Sequence, residues 1–337
     1  MAGGMQYRMP AEWERHESTW ISWPKNPLTF SPELMESVES AFVSVVDTLS
    51  EGERVDILVG DQTVERRVSG MLSGRGSVAF HRIRTADVWV RDYGPIFVRS
   101  ADGIVATKWT FNAWGNKYDD LLPDDEAGRK MAASTGLAVI EEEMVLEGGS
   151  IDVNGGGMML TTEQCLLNSN RNPSLSRTQI EAKLKKRLGA EHIIWLKSGI
   201  EGDDTDGHVD DIARFVSEDT VVCMVEEDGN DDNFAHLDEN LSLLRAAETP
   251  SGGKLVVVPL PMPGSLEDGG RLPASYANFY IGNSAVLVPV FNDRNDDIVL
   301  ERLRSLFPGR KVAGIDCRAL VHGLGTIHCA TQQQPAL

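Results

Sequence analysis

The chain is poor in cysteine and in basic residues, and it lacks any long hydrophobic run. Four cysteines in 337 residues are too few for a disulfide framework, and none forms the Cys-x-x-Cys pair of a zinc site. No run of about 18 apolar residues occurs, and the N-terminal residues contain no apolar signal segment. These absences predict a reduced, cytoplasmic protein without structural disulfides or membrane spans.

Acidic residues dominate the charge of the chain. Lys and Arg number 32 against 51 Asp and Glu, so the formal net charge is −19. Nucleic acids and anionic membranes are recognised by clustered Lys and Arg, and the sequence therefore predicts neither as a partner. The negative field favours a small cationic substrate, although excess carboxylates also serve solubility.

A unit of two strands, a helix and a third strand recurs four times, at intervals of about 55 to 70 residues. The Asn154-Gly155 pair is a hairpin signal between the first two strands of one unit. The predicted first strands are 96–98, 150–153, 209–216 and 276–281, and the predicted helices lie near 125–134, 175–188, 233–247 and 296–307. This spacing indicates a modular α/β architecture.

The two chain ends supply the parts of a fifth unit. Its strands would be 326–331, 19–23 and 54–59, with a helix at 32–49 that begins with Ser31-Pro32-Glu33. Joining the ends in this way predicts a five-bladed α/β propeller of ββαβ modules with pseudo-fivefold symmetry, in a single catalytic domain over residues 1–337. A linear array would have the same spacing.

The residues with reactive side chains recur at one position in these units. Asp92, Glu147, His208, Asp210 and Cys329 all fall at the start of a predicted first strand. Radially arranged modules would bring these positions to one end of the central axis. The sequence therefore predicts one pocket that contains carboxylates, an imidazole and a thiol.

Cys329 is the preferred nucleophile among the four cysteines. Glycines precede it, which allows the backbone to approach a ligand closely. Cys165 and Cys223 lie in apolar, strand-like runs and are predicted to be core residues, whereas Cys317 follows an acid at a strand end and is the rival nucleophile.

A guanidinium group matches such a pocket. It is planar and cationic, and its forked donors bind carboxylates in bidentate fashion, so Asp92 and Asp210 suit it from two sides. The same cation, or a protonated His208, would lower the pKa of the Cys329 thiol and favour attack on the guanidinium carbon.

Three other interpretations of the acidic segment 203–211 must be weighed. An EF-hand loop fails at both ends, because Gly202 and Ala213 would occupy its first and last ligand positions. A zinc site could use His208, Asp210 and one of His322, His328 or Cys329, although no zinc motif is present. A solvated acidic loop would leave His208 unexplained.

Six motifs in order resemble the agmatine deiminase and bacterial-type (Porphyromonas-type) peptidylarginine deiminase family. They are Met-Pro-Ala-Glu-Trp-Glu-Arg-His-Glu (9–17), Trp-Val-Arg-Asp-Tyr-Gly-Pro (89–95), Phe-Asn-Ala-Trp-Gly-Asn-Lys-Tyr (111–118), Leu-Glu-Gly-Gly-Ser-Ile (146–151), Asp-Thr-Asp-Gly-His-Val-Asp (204–210) and Ile-His-Cys-Ala-Thr-Gln-Gln (327–333). The resemblance implies the five-bladed fold of guanidine-modifying enzymes.

The resemblance also assigns roles to single residues. The family's nucleophile corresponds to Cys329 and its general acid/base to His208. Its guanidinium-binding aspartates correspond to Asp92 and Asp210, and its glutamate to Glu147. Trp89 corresponds to the tryptophan that covers the substrate, and Trp114 is a second candidate for stacking on the cation.

The implied reaction is agmatine plus water to N-carbamoylputrescine plus ammonia, through a covalent Cys thiouronium, in putrescine biosynthesis. The resemblance implies no cofactor and no metal, and it allows a homo-oligomer.

One departure from the family pattern concerns the substrate: the family usually has Gly-Gly-Gly-Asn before Ile-His-Cys, whereas this chain has Leu324 and Thr326 in that segment. Peptidylarginine or free arginine deimination, a metallohydrolase and a non-catalytic polyamine binder are the alternatives.

Overall fold

The computed structural model describes residues 7–337, which form sixteen strands in five separate sheets. The strands are β1 (His16–Ser22), β2 (Arg54–Leu58), β3 (Val78–His81), β4 (Ile96–Ser100), β5 (Gly103–Thr110), β6 (Ala138–Val145), β7 (Ile151–Val153), β8 (Met158–Thr162), β9 (His192–Leu196), β10 (Ala213–Phe215), β11 (Thr220–Val225), β12 (Val256–Pro261), β13 (Tyr280–Ile281), β14 (Ala285–Val290), β15 (Lys311–Asp316) and β16 (Thr331–Pro335).

Helices connect the strands, and several are only one turn long. They are α1 (Pro32–Leu49), α2 (Gln62–Met71), α3 (Val90–Tyr93), α4 (Ala113–Asn116), α5 (Asp124–Ser134), α6 (Glu163–Leu166), α7 (Arg177–Leu188), α8 (Asn233–Ala246) and α9 (Asp296–Leu306). Short 3-10 turns lie at Asp119–Leu121, Gly148–Ser150, Val209–Asp211, Tyr276–Asn278 and Leu320–Gly323. Within residues 7–337 no helix is both long enough and apolar enough to cross a bilayer.

Four sheets repeat one topology. In each, two antiparallel strands form a hairpin and the second strand pairs in parallel with a third, as in β4-β5-β6, β7-β8-β9, β10-β11-β12 and β13-β14-β15. Parallel strands need a crossover connection, which the helices α5, α7, α8 and α9 supply in turn. The predicted ββαβ unit is therefore confirmed, including the hairpin at Asn154-Gly155.

The fifth sheet joins the two ends of the described chain. Its order is β16-β1-β2-β3, with β16 antiparallel to β1 and β2 parallel to β1, and Ile21 lies opposite Thr331. Helix α1 connects β1 to β2 and buries its apolar stripe, which includes Val38, Phe42 and Val46. The predicted fifth module is thus confirmed, although its first strand begins at Thr331 and not at residue 326.

Successive modules contact one another in a closed ring. The turns Gly148–Ser150, Val209–Asp211 and Tyr276–Asn278 contact each other in sequence, and α3 contacts both Gly148–Ser150 and β16. Helix α1 of the fifth module packs on β14 and β15 of the fourth. This closure confirms the five-bladed arrangement and excludes the linear array.

A helical turn precedes the first strand of each module, and this corrects the sequence interpretation. Asp92 lies in α3, Glu147 directly precedes the turn Gly148–Ser150, and Asp210 lies in Val209–Asp211. Cys329 lies in the turn before β16. Strand geometry sends alternate side chains to opposite faces, whereas a turn lets adjacent polar residues converge on the axis. The predicted strand placement was wrong, but the predicted convergence was right.

The ring closure predicts a measurable coupling between the chain ends. Trp20 is buried, and its Nε1 donates to Oε1 of Gln334 at 2.9 Å. Gln334→Ala leaves this indole N–H buried without its acceptor and should cost about 1 to 3 kcal/mol in the free energy of unfolding, measured in urea. In a Trp20→Phe background the same substitution should cost much less. Equal costs in both backgrounds would contradict the coupling.

Candidate active site

A cavity of about 200 Å³ opens at the axial end of the ring where the module turns meet. Leu28, Thr29, Asp87, Trp89, Asp92, Trp114, Tyr118, Asp120, Leu121, Asp204, Thr205, His322, Gly323, Leu324 and Cys329 line it. Among these described residues none is Lys or Arg. The cavity is therefore narrow, aromatic and acidic.

Cys329 lies at the base of the cavity and is 6% exposed. Its Sγ accepts an N–H from Nδ2 of Asn278 at 3.1 Å and lies 3.7 Å from Oδ2 of Asp210. Burial, followed by the charges of Asp210, Asp211 and Asp92, raises the pKa of the thiol well above its ordinary value. The sulfur is protonated until a cation offsets these carboxylates.

Asp92 is fixed by two donors on its two oxygens. Oδ1 accepts the backbone N–H of Gly149 at 2.9 Å, and Oδ2 accepts Nε1–H of Trp114 at 2.9 Å. Burial, with repulsion from Asp210 and Glu147, raises the pKa of Asp92 to about 6. Arg91 does not pair with Asp92: its guanidinium donates to Glu12 and to two C-terminal glutamines.

His208 is fully buried next to two acids. Its Nδ1 lies 3.8 Å from Oδ2 of Asp92 and 4.0 Å from Oδ1 of Asp210. Burial disfavours the charged ring, but Asp92 and Cys165 outweigh it and hold the pKa of His208 well above its ordinary value. The imidazole is therefore positioned as a proton donor.

Asp210 is positioned by His328, which in turn hydrogen-bonds Glu12. Nδ1 of His328 hydrogen-bonds Oδ2 of Asp210 at 2.6 Å, and Nε2 hydrogen-bonds Oε2 of Glu12 at 2.9 Å. Arg214 donates to the other oxygen of Glu12 at 2.8 Å. Burial opposes ionisation of Asp210, but the hydrogen bond and charge of His328 outweigh it and lower its pKa. Asp210 is thus an ionised, oriented carboxylate.

Glu147 is fully buried and pairs with Arg171. Nε of Arg171 donates to Oε1 of Glu147 at 2.6 Å, and NH1 of Arg171 donates to Oδ2 of Asp206 at 2.8 Å. Arg171 also donates to the carbonyl of Thr205 at 2.8 Å. One cation therefore orients Glu147 and fixes the segment that leads into His208.

Several buried polar atoms at this site have no hydrogen-bond partner within residues 7–337. They are Oε2 of Glu147, Oδ1 of Asp210 and both ring nitrogens of His208. Buried polar groups are normally paired, because an unpaired one costs about 1 to 3 kcal/mol. Two carboxylate oxygens that need donors, beside an acidic cavity, fit a ligand that is cationic and rich in N–H groups.

Two tryptophans form walls of the cavity. Trp89 packs on the turn that carries the nucleophile, since a Cβ on Gly325 would lie 2.8 Å from its ring. Trp114 has φ 53° and ψ 47° within a left-handed turn. Such a conformation costs about 1 to 2 kcal/mol for a non-glycine residue and places the indole N–H on Asp92. Leu324, also left-handed at φ 67°, lines the cavity beside them.

These side chains fit a metal ion less well than they fit a cationic ligand rich in N–H groups. Glu147, Cys165 and His208 form one group and Asp210, Asp211 and Cys329 another, with the potential ligand atoms of each group within 4.8 Å of one another. His208 and Asp210, the centre of the predicted alternative, fall in different groups. Metal ligation requires deprotonated thiols, whereas burial raises the pKa of Cys165 and of Cys329.

The structure brings together all seven side chains that the sequence indicated as site residues. They are Trp89, Asp92, Trp114, Glu147, His208, Asp210 and Cys329. Cys317, the rival nucleophile, is buried outside the cavity lining, and burial raises the pKa of its thiol well above the ordinary value. Cys223 is a core residue as expected. Cys165 is buried as expected, but it also adjoins His208.

Sequence reasoning missed four residues that hold the site: Glu12, Arg171, Asn278 and His328. Asn278 could have been found, because the turn Tyr276–Asn278 occupies in the fourth module the position that carries site residues in the others. Glu12 and Arg171 carried no such positional signal. His328 was weighed only as a zinc ligand.

Comparisons with known proteins place the chain in a family. The profile described as Porphyromonas-type peptidyl-arginine deiminase matches residues 8–335. The agmatine deiminase of Stutzerimonas stutzeri (strain A1501) is 39% identical over 98% of this chain and 96% of its own length. The chain belongs to the Porphyromonas-type peptidyl-arginine deiminase family. The resemblance inferred from the six motifs is confirmed.

Solved structures of family members share the fold of this deiminase. An Enterococcus faecalis agmatine deiminase, described as catalyzing its reaction, has a TM-score of 0.91 and 33% identity over 99% of this chain and 98% of that chain. A C. jejuni agmatine deiminase with substrate bound has a TM-score of 0.90 at 33% identity over the same shares. An amidinotransferase from Microseira wollei, 11% identical with a TM-score of 0.56, shows the fold alone. The predicted guanidine-modifying fold is confirmed.

The crowding at Gly149 gives a direct test of the site geometry. A Cβ atom at this glycine would lie 2.6 Å from Nδ1 of His208, 2.9 Å from Oδ2 of Asp210 and 3.0 Å from Oδ1 of Asp92. Gly149→Ala should therefore displace all three side chains and lower kcat/KM by about 100-fold or more in the deiminase assay.

The matched control is Gly156→Ala, in the hairpin of the same module. Its Cβ would meet nothing closer than 3.5 Å, and its backbone is not left-handed. This variant should keep its turnover. A Gly149→Ala enzyme as active as the Gly156→Ala enzyme would contradict the described geometry.

Proposed function

We propose that this chain is an agmatine deiminase that hydrolyses the guanidine group of agmatine to N-carbamoylputrescine and ammonia. The observation that carries the proposal is that Cys329 and Asp92 line an acidic cavity without Lys or Arg in its described lining, while His208 and Asp210 adjoin them from the buried side. The agmatine deiminases among its relatives support the substrate.

The guanidinium end of the substrate would bind at the base of the cavity. Asp92 in the cavity lining and Asp210 beside Cys329 would provide the carboxylates, and Trp89 and Trp114 in the lining would stack on the cation. Glu147, oriented by Arg171, supplies a further acceptor through its Oε2. These groups hold the central carbon near the sulfur of Cys329.

The outer part of the cavity favours an amine over a carboxylate. Asp87, Asp120 and Asp204 lie in its lining, and Asp87 is buried with its pKa raised by burial to about 6. A primary ammonium at the far end of the substrate would offset these acids. The carboxylate of arginine would be repelled there, which separates agmatine from the arginine alternative.

The reaction begins when the bound cation neutralises the carboxylates around Cys329 and lowers the pKa of its thiol. The thiolate attacks the guanidinium carbon, and a C–S bond forms while the carbon becomes tetrahedral. His208 gives its proton to the leaving nitrogen, the C–N bond breaks, and ammonia departs. An S-alkyl thiouronium remains on Cys329.

In the hydrolysis step water is the nucleophile, Cys329 is the leaving group and His208 first acts as the base. The neutral His208 takes a proton from water as its oxygen attacks the thiouronium carbon, and a C–O bond forms. The C–S bond then breaks, the thiolate of Cys329 leaves and takes the proton of the new hydroxyl group, and the neutral ureido product is released. His208 is again protonated and Cys329 is again a thiol. The proton that the thiol lost before attack leaves with ammonia as ammonium, so the cycle consumes one water and releases one ammonium.

The cellular setting belongs to the same proposal. We place the enzyme in the cytoplasm, because the four cysteines among the described residues are free. We also propose that it is a single catalytic domain. N-carbamoylputrescine leads to putrescine by hydrolysis, which fits a role in polyamine synthesis. Assembly into a homo-oligomer rests only on the family resemblance.

The function is tested by ammonia release from agmatine, free arginine and an arginine-containing peptide, with and without a chelator. Agmatine should be preferred by at least about 100-fold in kcat/KM because its tail carries no carboxylate, and the chelator should have no effect. Cys329→Ala should abolish turnover while agmatine still binds in calorimetry, and Cys223→Ala should remain active.

Three outcomes would contradict the proposal. A preference for the peptide would favour peptidylarginine deimination, and loss of activity with the chelator would favour a metallohydrolase. Binding of agmatine without ammonia release from any substrate would favour the polyamine binder.

Acid should inhibit the enzyme through Asp92. This carboxylate must be ionised to bind a guanidinium, and its pKa in the free protein is about 6, so kcat/KM for agmatine should fall about tenfold per pH unit below pH 6. Asp87, whose pKa is also about 6, provides the control, since Asp87→Asn should keep this acid limb. Rates that rise as pH falls from 7 to 5 would contradict the assignment.

A further inference from the structure

The fourth module contributes Asn278 to the site, where it contacts the nucleophile. Asn278 ends the turn Tyr276–Asn278, which corresponds to the turns that carry Asp92, Asp210 and Cys329 in other modules. Its side chain is fully buried, and Nδ2 lies 3.1 Å from Sγ of Cys329. Every module therefore presents a polar side chain to the axis.

The orientation of the Asn278 amide is determined by its other contacts. Oδ1 accepts the hydroxyl of Thr326 at 2.8 Å and the backbone N–H groups of His328 and Cys329 at 3.0 and 3.3 Å. A flipped amide would place its NH₂ against these three donors. The NH₂ therefore faces Sγ of Cys329 and Oδ1 of Asp211, which lies 3.1 Å away.

Three of the groups that act most strongly on the thiol are acidic. Asp210 and Asp211 of the third module and Asp92 of the first all favour its protonated form, as does burial. Burial, with repulsion from Asp210 and Asp203, raises the pKa of Asp211 well above its ordinary value. Asn278 is the neutral N–H donor aimed at the sulfur, and it favours the thiolate.

We propose that Asn278 is a catalytic residue that donates its side-chain N–H to the sulfur of Cys329 and stabilises the thiolate. The proposal rests on the proposed function, in which this thiolate forms before attack and again when the product leaves. A hydrogen bond to a charged acceptor is about twice as strong as a neutral one, so the contact strengthens as the charge develops.

The experiment measures thiol ionisation without substrate. Alkylation of Cys329 by iodoacetamide is followed from pH 6 to 11, with the modified peptide identified by mass spectrometry. Asn278→Ala removes the donor, so at a fixed pH below the midpoint its alkylation should slow by about 10- to 100-fold, with the midpoint shifted upward by about one to two pH units. Asn278→Asp retains an acceptor for the turn but loses the donor, and it should shift the midpoint at least as far.

Thr326→Val is the matched control. It removes one donor to Oδ1 of Asn278 and leaves the contact between Nδ2 and sulfur, so the midpoint should stay at the wild-type value. Thermal unfolding of each variant shows whether the turn still folds, and Asn278→Asp, which is isosteric, remains informative if Asn278→Ala unfolds.

Two outcomes separate this inference from the proposed function. Alkylation of Cys329 with a midpoint unchanged in both Asn278 variants would overturn the role of Asn278, even if turnover fell, because a purely structural role moves turnover alone. Agmatine turnover that survives complete alkylation of Cys329 would instead overturn the nucleophile assignment and the proposed function with it.

Discussion

Buried negative charge around a single cavity is the constraint on which the rest of this structure depends. Asp92, Asp210 and Glu147 are almost entirely removed from solvent, and Asp92 and Asp210 help to raise the pKa of the Cys329 thiol. Burying carboxylates is costly unless cations or N–H donors offset them. The fold itself supplies some of these N–H donors, because Arg171 binds Glu147 and His328 binds Asp210. A bound guanidinium supplies the remaining positive charge and N–H donors, so the substrate itself stabilises the buried carboxylates.

The ring of modules explains how such a site can be assembled. A turn near the axis precedes the first strand of each module, and a single turn exposes backbone N–H groups and closely spaced side chains to the centre. Gly149 shows how tightly these parts fit, because its N–H binds Asp92 while its missing Cβ leaves room for His208. Glu12 links two modules, since it contacts Arg214 of the third module and His328 of the fifth.

Much of this could be predicted from the sequence, because the repeat has strong local signals. Hairpin turns, the helix at Pro32–Leu49 and the spacing of apolar runs were sufficient to count five modules and to place Cys329 near His208. The helical turns were not predictable, since residues such as Val209 favour a strand by local propensity and the tertiary arrangement overrides it. The contact of Glu12 with His328 spans 316 positions, and no local pattern reports it. Leu324 in a left-handed conformation was equally hidden.

The measurement that tests this account most directly is proton release on agmatine binding to Cys329→Ala, by calorimetry in buffers of different ionisation enthalpy. If the bound substrate completes the charge at the site, its guanidinium lowers the pKa of Asp92 and its ammonium lowers that of Asp87, both from about 6, so binding at pH 6 should release about half a proton from each. The release should approach zero at pH 8, where both carboxylates are already ionised. Binding with no proton release at pH 6, or with proton uptake, would contradict the account.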